Sequence, residues 1–221
     1  MTTLAIIQAR TSSSRLPGKV LMPILGRPMI LHQLDRISRC RRLDQLVLAT
    51  SHDIGDDALA AVVAAAGYAV YRGDLQDVLA RFQACASHYP ASTVVRLTGD
   101  CPLSDPHLID ELLEAFEAGG WDYLANCVDE QQLSVPDGFD AEVFRAELLD
   151  RAVAEARLPS EREHVTPWLR SEAAGLRWSH FRHQPMRPYY RVTVDDPVDF
   201  EVVSTICLLY TSPSPRDQRG S

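Results

Sequence analysis

Short apolar runs that alternate with helical patterns constrain the fold of this chain more than any other feature. Residues 4–7, 46–49, 68–71 and 94–97 are of strand length and carry few charges, as is typical of strands buried on both faces of a parallel sheet. Amphipathic patterns that predict helices lie between these runs and after the fourth of them. This order predicts an α/β protein with a mostly parallel, twisted, doubly wound sheet that is flanked by helices.

The second half of the chain has a different pattern. Polar and apolar residues alternate over residues 139–144 and 176–183, which predicts antiparallel strands with one exposed face. Helices are predicted between these strands, over residues 145–157 and 160–174. A further strand is expected over residues 190–194. The antiparallel part therefore forms a lid-like insertion on the parallel sheet.

No linker or internal repeat separates the two halves, so a single domain over residues 1–206 is predicted. Asp196 and Pro197 have the chemistry of a helix N-terminus and are expected to begin a last helix that runs to about residue 206. Residues 207–221 end in TSPSPRDQRGS, without apolar periodicity. That composition predicts a disordered or non-native tail.

The composition excludes several classes of function. Among 221 residues, 46% are hydrophobic and 24% are charged, with a formal net charge of −8, so a broad basic surface for nucleic acid is not expected. The longest apolar run, residues 58–66, is well short of the roughly 18 residues of a membrane span, and residues 1–10 lack the basic start of a secretion signal. We therefore expect a cytoplasmic protein that binds neither nucleic acid nor a membrane. Five widely spaced cysteines without a CxxC pair indicate neither a disulfide framework nor a zinc site.

The segment after the first predicted strand has the composition of a phosphate-binding loop. It reads QARTSSSRLPGK, from Gln8 to Lys19. Small residues let backbone N–H groups approach phosphate oxygens, and Arg10, Arg15 and Lys19 supply charge for a triphosphate. The Walker A and GxGxxG patterns are both absent, which disfavours an ATPase or a dinucleotide-binding protein. A solvated basic loop is the alternative, but ligands of such sheets bind where parallel strands end.

Three motifs carry a family resemblance: IIQARTSSSRLPGKVLMPILGRPMI, VRLTGDCPLSDP and VTVDDPVDFE, in this order. Together they resemble the cytidylyltransferases that activate acidic sugars, most closely the spore-coat-polysaccharide type of the acylneuraminate cytidylyltransferase family, with the 3-deoxy-manno-octulosonate cytidylyltransferases as more distant relatives. The likeness runs from Leu4 to about Ile206. It implies the nucleotide-diphosphosugar transferase variant of the Rossmann sheet, transfer of CMP from CTP to a sugar hydroxyl with release of pyrophosphate, and a homodimer.

The resemblance also implies a nucleotide site. Its triphosphate-binding positions match Arg10, Ser13, Ser14, Arg15 and Lys19. The other positions that the nucleotide is expected to approach are Gln8, Ala9, Ser51, Arg72, Thr98 and Gly99. Thr98 stands where related acylneuraminate enzymes carry a base-contacting glutamine, so the preference for cytosine follows from the overall likeness.

Two aspartates are candidate ligands of Mg²⁺. Asp100 follows the fourth predicted strand and Asp195 ends the strand expected over residues 190–194. Phosphoryl transfer depends on neutralising phosphate charge, and Mg²⁺ prefers oxygen ligands. The resemblance aligns both residues with the metal-binding aspartates of the family, while a turn aspartate and a helix cap are the structural alternatives. The candidate catalytic residues are Arg10, Arg15, Lys19 and Asp100.

The acceptor site is expected in the second half of the chain. Residues 135–144 and 160–167 resemble family segments that line the acceptor pocket, where Arg162 or His164 can hold a sugar carboxylate and Asp140 a hydroxyl. An ordinary turn and a charged first helical turn are the alternatives. Two other functions stay open at this point: a nucleotidyltransferase that uses another nucleotide or a sugar phosphate, and a nucleotide- or sugar-binding protein without catalysis.

Overall fold

Strand β1 (Thr3–Gln8) lies at the centre of the fold, where the sequence predicts the first parallel strand. The computed structural model describes residues 2–128, 133–186 and 189–211. After β1 and the loop that follows it, β2 (Pro23–Ile24) and β3 (Arg27–Pro28) form a separate antiparallel hairpin. The hairpin leads directly into the first helix and was not predicted, because each of its strands has only two residues.

The parallel half of the main sheet confirms the sequence prediction. Its other strands are β4 (Gln45–Ser51), β5 (Ala69–Gly73) and β6 (Thr93–Thr98). β1 pairs in parallel with β4 on one side and β6 on the other, and β4 pairs in parallel with β5. The carboxyl ends of β1 and β6 therefore lie side by side, with Gln8 opposite Thr98.

The other half of the sheet agrees with the prediction only in part. Its strands are β7 (Tyr123–Ala125), β8 (Glu142–Arg145) and β9 (Trp178–His180), which complete the order β5-β4-β1-β6-β8-β7-β9. β8 is antiparallel to β6 and β7, as expected for residues 139–144. The expectation that residues 176–183 are antiparallel was wrong, because β9 pairs beyond β8 with β7 and runs parallel to it.

Residues 190–194 do not form the predicted strand of the sheet. They are extended, but their pairing is limited to an isolated bridge between Asp137 and Arg191. Backbone hydrogen bonds instead tie this segment to two loops: Val192 donates to Asp137 O at 2.7 Å, and Val194 donates to Asp100 O at 2.8 Å. The segment is therefore held across the ends of the strands, where it brings Asp195 towards Asp100.

Helices cover both faces of the sheet. They are α1 (Met29–Ile37), α2 (Asp57–Ala65), α3 (Val78–His88), α4 (Pro106–Gly119), α5 (Leu148–Glu155), α6 (Pro159–His164) and α7 (Pro197–Thr211). Alternate residues of β1 point to opposite faces. Ile7 packs in a core with α1, α2, α4 and α7, whereas Ile6 packs in a second core with α3 and α5.

Two helix boundaries differ from the sequence prediction. The helix expected over residues 160–174 ends at His164, and short 3-10 turns follow it, because Pro167 cannot donate a helical hydrogen bond and disfavours a helical residue before it. The last helix begins as predicted, since the Asp196 carboxylate accepts the N–H groups of Val198 and Asp199 at 2.9 and 3.0 Å. It continues to Thr211, so residues 207–211 are helical; residues 212–221 of the predicted tail lie outside the described residues. None of the described helices has both the length and the apolar character needed to cross a membrane.

Gly138 allows the loop before β8 to contact the extended segment after residue 190. Its φ angle is +112°, and a Cβ atom at this position would lie 2.5 Å from the backbone nitrogen of Thr193 and 2.7 Å from the carbonyl carbon of Val192. Backbone atoms cannot turn aside as the end of a flexible side chain can. The position therefore requires glycine for both its conformation and its space.

Gly138→Ala is expected to lower the free energy of unfolding by roughly 3 kcal/mol or more, the sum of a disfavoured backbone conformation and a steric overlap. Gly26→Ala is the matched control, because Gly26 also has a positive φ of +76° but has no atom within 4 Å of the added methyl group. The control should lose only about 1–2 kcal/mol. Urea denaturation of both variants measures the difference, and equal losses would contradict the close contact at Gly138.

Candidate active site

A cleft of about 310 Å³ opens at the carboxyl ends of β1 and β6. Most of the residues that the sequence assigns to the nucleotide and metal sites line it: Gln8, Ala9, Arg10, Ser13, Ser14, Arg15, Lys19, Thr98, Gly99, Asp100 and Asp195. Gly99 permits the close approach of the two strand ends, because a Cβ atom there would lie 2.6 Å from the Ala9 Cβ and 3.0 Å from the Gln8 carbonyl oxygen. The cleft thus lies where ligands of open parallel sheets bind.

Asp56 holds the loop after β1 in place. Its buried carboxylate accepts hydrogen bonds from the backbone N–H and the hydroxyl of Thr11, at 2.7 and 2.8 Å, and from the hydroxyl of Ser51. Burial alone would raise the pKa of Asp56, but the hydrogen bonds from Ser51 and Thr11 outweigh it and lower the pKa. Within the loop, Gly18 donates to Thr11 O at 2.8 Å. The loop is therefore anchored to β4 and is not simply a solvated basic segment.

Lys19 joins the loop to both candidate metal ligands. Its ammonium donates to Val194 O at 2.6 Å and to Asp195 Oδ1 at 3.2 Å, and it lies 3.6 Å from Asp100 Oδ2. The residue is only 8% exposed, and a buried ammonium is tolerated only with such partners. The two carboxylates therefore share the ammonium of Lys19 in the lining of the cleft.

Asp195 has three cationic neighbours. Arg15 lies 2.8 Å and Arg191 2.7 Å from its carboxylate oxygens, in addition to Lys19. Burial alone would raise the pKa of Asp195, but hydrogen bonds from Arg191 and Lys19 and the charge of Arg15 lower it overall. Asp195 is therefore ionised near neutral pH. Arg191 also pairs with Asp137 and Asp199, so Arg15 and Lys19 are the cations of this group that line the cleft.

Two predicted nucleotide residues do not line the cleft. Ser51 is fully buried and its hydroxyl is used to hold Asp56. Arg72 donates to the carbonyl oxygens of Ser51 and Asp53, at 2.7 and 2.9 Å, and pairs with Asp57 at 2.6 Å. Both residues stabilise the loop that follows β4. Their hydrogen bonds give no support to the prediction that they contact the nucleotide.

Arg81 lines the cleft and was not identified from the sequence. It lies on the buried side of α3, is 2% exposed, and donates from Nη1 to Asp74 O at 2.7 Å, while its Nε has no hydrogen-bond partner. Desolvation lowers its pKa, and the nearby charge of Arg10 acts in the same direction. An arginine within the apolar stripe of Val78 and Phe82 was the signal available in the sequence.

A second cavity of about 250 Å³ adjoins the cleft and shares Thr98 and His164 with it. Its other lining residues are Arg96, Cys127, Val128, Asp140, Ala141, Glu142, Thr166 and Arg170. The structure therefore brings His164 and Asp140, two of the predicted acceptor residues, to one cavity beside the candidate nucleotide site. Burial, together with the charges of Asp137, Asp100 and Glu142, raises the pKa of Asp140 to about 7.

Arg162, the third predicted acceptor residue, lies elsewhere. Its Nε donates to the Asp77 carboxylate at 3.0 Å, its Nη2 contacts the same carboxylate, and its Nη1 donates to Val153 O at 2.9 Å. Asp77 also caps α3 by accepting the N–H of Ala80 at 2.9 Å. Arg162 therefore fastens α6 to α3 and α5, and it does not line the second cavity.

The wall of the second cavity includes a buried ion pair between Arg96 and Glu142. Glu142 also accepts hydrogen bonds from the hydroxyls of Tyr123 and Thr166, at 2.6 and 2.7 Å. Burial alone would raise the pKa of Glu142, but Arg96 and the two hydroxyls hold it below its ordinary value. The pair is therefore charged near neutral pH, and it joins β6, β8 and the turn after α6.

The carboxylates in the cleft suit a hard divalent cation. Asp100 and Asp195 project from two different segments towards the same ammonium, and their oxygens are the ligand type that Mg²⁺ prefers. No cluster of three or more His, Cys, Asp or Glu side chains is placed to hold a metal within residues 2–128, 133–186 and 189–211. Two carboxylates fit Mg²⁺ because this ion is usually held by one or two carboxylates and completed by water and substrate phosphates.

A mostly parallel sheet with one antiparallel strand, a cationic loop after its central strand and paired carboxylates at the strand ends define an α/β nucleotidyltransferase. The family described as Cytidylyltransferase matches residues 4–210. The chain belongs to this cytidylyltransferase family.

Individual proteins show the same likeness. The chain is 36% identical over 211 residues to the spore coat polysaccharide biosynthesis protein SpsF of Bacillus subtilis, covering 92% of this chain and 85% of that protein. A solved cytidylyltransferase from Leptospira borgpetersenii superimposes with a TM-score of 0.88 at 30% identity, covering 96% of this chain and 89% of that one. A CMP:2-keto-3-deoxy-manno-octonic acid synthetase, solved in complex with CTP, shares the fold with a TM-score of 0.75 at 20% identity, covering 95% and 100% of the two chains.

Glu142→Gln is expected to lower the free energy of unfolding by about 3–5 kcal/mol at pH 7, because Arg96 is left buried without a carboxylate. The folded pKa of Glu142 lies below the ordinary 4.5, so the contribution of the charged pair is complete above about pH 4.5 and is lost as the pH falls through the folded pKa. As the pH is lowered from about 5 to about 3, a range that spans the ordinary pKa of glutamate, the free energy of unfolding of the variant should therefore fall by less than that of wild type.

Tyr123→Phe is the control, since it removes one hydrogen bond to Glu142 and should cost only about 1 kcal/mol while keeping the acid dependence. Urea denaturation across this pH range measures all three proteins. Parallel pH profiles for wild type and Glu142→Gln would contradict a charged Glu142 in the folded state.

Proposed function

We propose that the protein transfers CMP from CTP to a hydroxyl group of an acidic sugar, releases pyrophosphate, and depends on Mg²⁺. The acceptor is of the ulosonic or sialic acid type, and the product serves surface polysaccharide biosynthesis in the cytoplasm. The observation that carries the proposal is one cleft that combines Arg10, Arg15 and Lys19 with two carboxylates and adjoins a second, polar cavity. The similarity to SpsF, a spore coat polysaccharide biosynthesis protein, supports the choice of pathway, and the similarity to the CTP-bound synthetase supports the choice of acceptor.

The cleft provides the charges that a nucleotidyl transfer needs. The acceptor oxygen attacks the α-phosphorus of CTP, a new oxygen–phosphorus bond forms, and the bond from the α-phosphorus to the oxygen that bridges to the β-phosphorus breaks. The hydroxyl proton is released and pyrophosphate leaves with the bridging oxygen. Arg15 and Lys19, which already lie beside carboxylates in the cleft, neutralise the charge that accumulates on the departing pyrophosphate.

Asp100 and Asp195 would hold Mg²⁺, which when bound neutralises charge on the α-phosphate. The chain itself prepares these ligands, because Val194 and Thr193 donate to the carbonyl oxygen of Asp100 at 2.8 and 3.3 Å. The two ligand-bearing segments are thereby joined before any ligand arrives. Arg191 orients Asp195 through a hydrogen bond of 2.7 Å.

Thr98 and His164 lie where the two cavities meet, so an acceptor in the second cavity and a nucleotide in the cleft have adjacent reacting ends. The acceptor cavity is mostly polar, with Asp140, Glu142 and Thr166 on its wall. Polar groups at fixed positions suit a polyhydroxylated ligand. Asp140 is the residue that we assign to an acceptor hydroxyl.

Pyrophosphate release should be detected with CTP, Mg²⁺ and an acidic sugar, and should be at least about tenfold faster with CTP than with ATP, GTP or UTP. The probes are 2-keto-3-deoxy-manno-octonic acid and N-acetylneuraminic acid, each assayed with every nucleotide. Activity with another nucleotide and none with CTP would contradict cytidylyl transfer. CTP binding without pyrophosphate release from any acceptor would support a non-catalytic binding protein instead.

Asp100→Asn is expected to reduce the turnover number by about 100-fold or more, because a neutral amide is a poor Mg²⁺ ligand and cannot balance Lys19. Asp150→Asn is the matched control, since Asp150 is exposed and accepts one hydrogen bond from Gln83 far from the cleft. Asp150→Asn should unfold at the same urea concentration as wild type, and Asp100→Asn should remain folded without denaturant, because Lys19 keeps Val194 O and Asp195 as partners. Unchanged turnover of a folded Asp100→Asn protein would refute the metal-binding role.

A further inference from the structure

Arg170 is a cation of the second cavity for which the described residues provide no hydrogen-bond or ion-pair partner. It lines the cavity, its Nε is buried without a hydrogen-bond partner, and its guanidinium makes no hydrogen bond or ion pair with the part of the chain that the structure describes. Guanidinium groups carry five donors in a fixed planar arrangement. A buried donor without a partner costs free energy, so its retention points to a ligand.

The remaining charged groups of the cavity are already committed. Arg96 pairs with Glu142 and donates from Nε to Gln8 Oε1 at 3.0 Å. The oxygens of Glu142 accept from Arg96, Tyr123 and Thr166, which leaves no short contact to Arg170. Arg170 is therefore the guanidinium in the described lining of this cavity that is available to an incoming anion.

The backbone fixes Arg170 at this position. It ends the 3-10 turn Trp168–Arg170, in which its N–H donates to Pro167 O at 3.2 Å. The two preceding residues, Trp168 and Leu169, are buried at 3% and 0% exposure. Arg151 stacks over the Trp168 ring at 5.2 Å. The turn that carries Arg170 is therefore fixed to the core through Trp168 and Leu169.

We infer that Arg170 binds the carboxylate of the acceptor and thereby makes the second cavity selective for acidic sugars. This inference rests on the proposed function and names the group that recognises the acid. A planar guanidinium matches a carboxylate with two parallel hydrogen bonds. The family resemblance gave this role to Arg162 or His164; Arg162 instead donates to Asp77 and Val153, while His164 lines the cavity together with Arg170.

The charge and size of the cavity favour a carboxylate over a phosphate. Arg96 already balances Glu142, and Asp140 lies in the same lining as Arg170, so a dianionic phosphate would bring more negative charge than the one unpaired cation can balance. The cavity volume of about 250 Å³ lies near the lower end of small-molecule sites. A single monosaccharide acid fits these limits, with its carboxylate on Arg170 and its hydroxyls towards Asp140 and Thr98.

The test compares Arg170→Gln and Arg170→Lys with wild type and with Arg157→Gln. Arg157 is exposed, its side chain has no hydrogen bond or ion pair to the described residues, and it does not line the cavity, so its variant makes the same charge change elsewhere. The acceptor KM of Arg170→Gln for 2-keto-3-deoxy-manno-octonic acid should rise about 10- to 100-fold, while its KM for CTP stays within twofold of wild type, about the scatter expected for an untouched site. Arg170→Lys, which keeps the charge but loses the two parallel hydrogen bonds, should lie between wild type and Arg170→Gln.

The methyl ester of the same acid separates carboxylate recognition from a general loss of structure. The ester should be a poor acceptor for wild type and equally poor for Arg170→Gln, so the preference for acid over ester should disappear in the variant. An unchanged acceptor KM, or a preserved preference for the acid, would overturn the inference. Inorganic phosphate and a sugar phosphate are also tested as competitors of the acid. If Arg170→Gln weakens the binding of these phosphates more than it weakens binding of the acid, Arg170 binds a phosphate and the inference is overturned.

Calorimetric titration with the free acid makes the result independent of turnover. If wild type releases no pyrophosphate but binds the acid, and Arg170→Gln binds it about 10-fold or more weakly, the inference stands while the proposed reaction fails. If wild type turns over CTP with the acid and Arg170→Gln does so with an unchanged KM, the reaction stands while the inference fails. If wild type does not bind the acid, both the proposed reaction and the inference are contradicted.

Discussion

The ammonium of Lys19 is the interaction on which the site depends. It joins the loop after β1 to Asp100 at the end of β6 and to Val194 and Asp195 before α7, residues that are up to 176 positions apart in the chain. An almost buried ammonium would be costly without these acceptors, and two carboxylates in one place would repel each other without the ammonium. Each of the three segments therefore has its position because the other two are present.

The cleft around Lys19 has cations and carboxylates in its lining. Arg10, Arg15, Lys19 and Arg81 line it together with Asp100, Glu163 and Asp195, an excess of one positive charge. A chain with a net charge of −8 thus contains a cleft whose charged lining is slightly positive. Overall acidity disfavours extended polyanions, but it is compatible with one compact anion at the strand ends. The triphosphate of a nucleotide is the ligand that this distribution suits.

The sequence predicted the parts of the fold that have strong periodicity. The strands β1, β4, β5 and β6 have at least five residues each, contain the apolar runs, and appear where the pattern indicated. The three-residue strand β7 was missed because so short a run carries no periodic signal, and this omission also reversed the predicted direction of β9. The extended segment over 190–194 reads as a strand in the sequence, although its hydrogen bonds go to two loops.

The cleft was more predictable than the second cavity for a physical reason. A phosphate-binding loop has a local composition, so Arg15 and Lys19 were recognised together with the strand that precedes them. The surroundings of Arg162 and Arg170 depend on tertiary contacts. The sequence does not distinguish an arginine that pairs with Asp77 from one that lines a cavity. Ser51 and Arg72 follow the same rule: both adjoin the loop, but their hydrogen bonds support Asp56 and the turn after β4.

A crystal structure with CTP and Mg²⁺ tests the central claim most directly, because it shows whether the charges gathered by Lys19 serve a triphosphate. The account predicts phosphate oxygens within hydrogen-bonding distance of Arg15 and Lys19, and one ion bound by both Asp100 and Asp195. A triphosphate bound away from the loop between Gln8 and Lys19, or an ion that contacts neither aspartate, would contradict it.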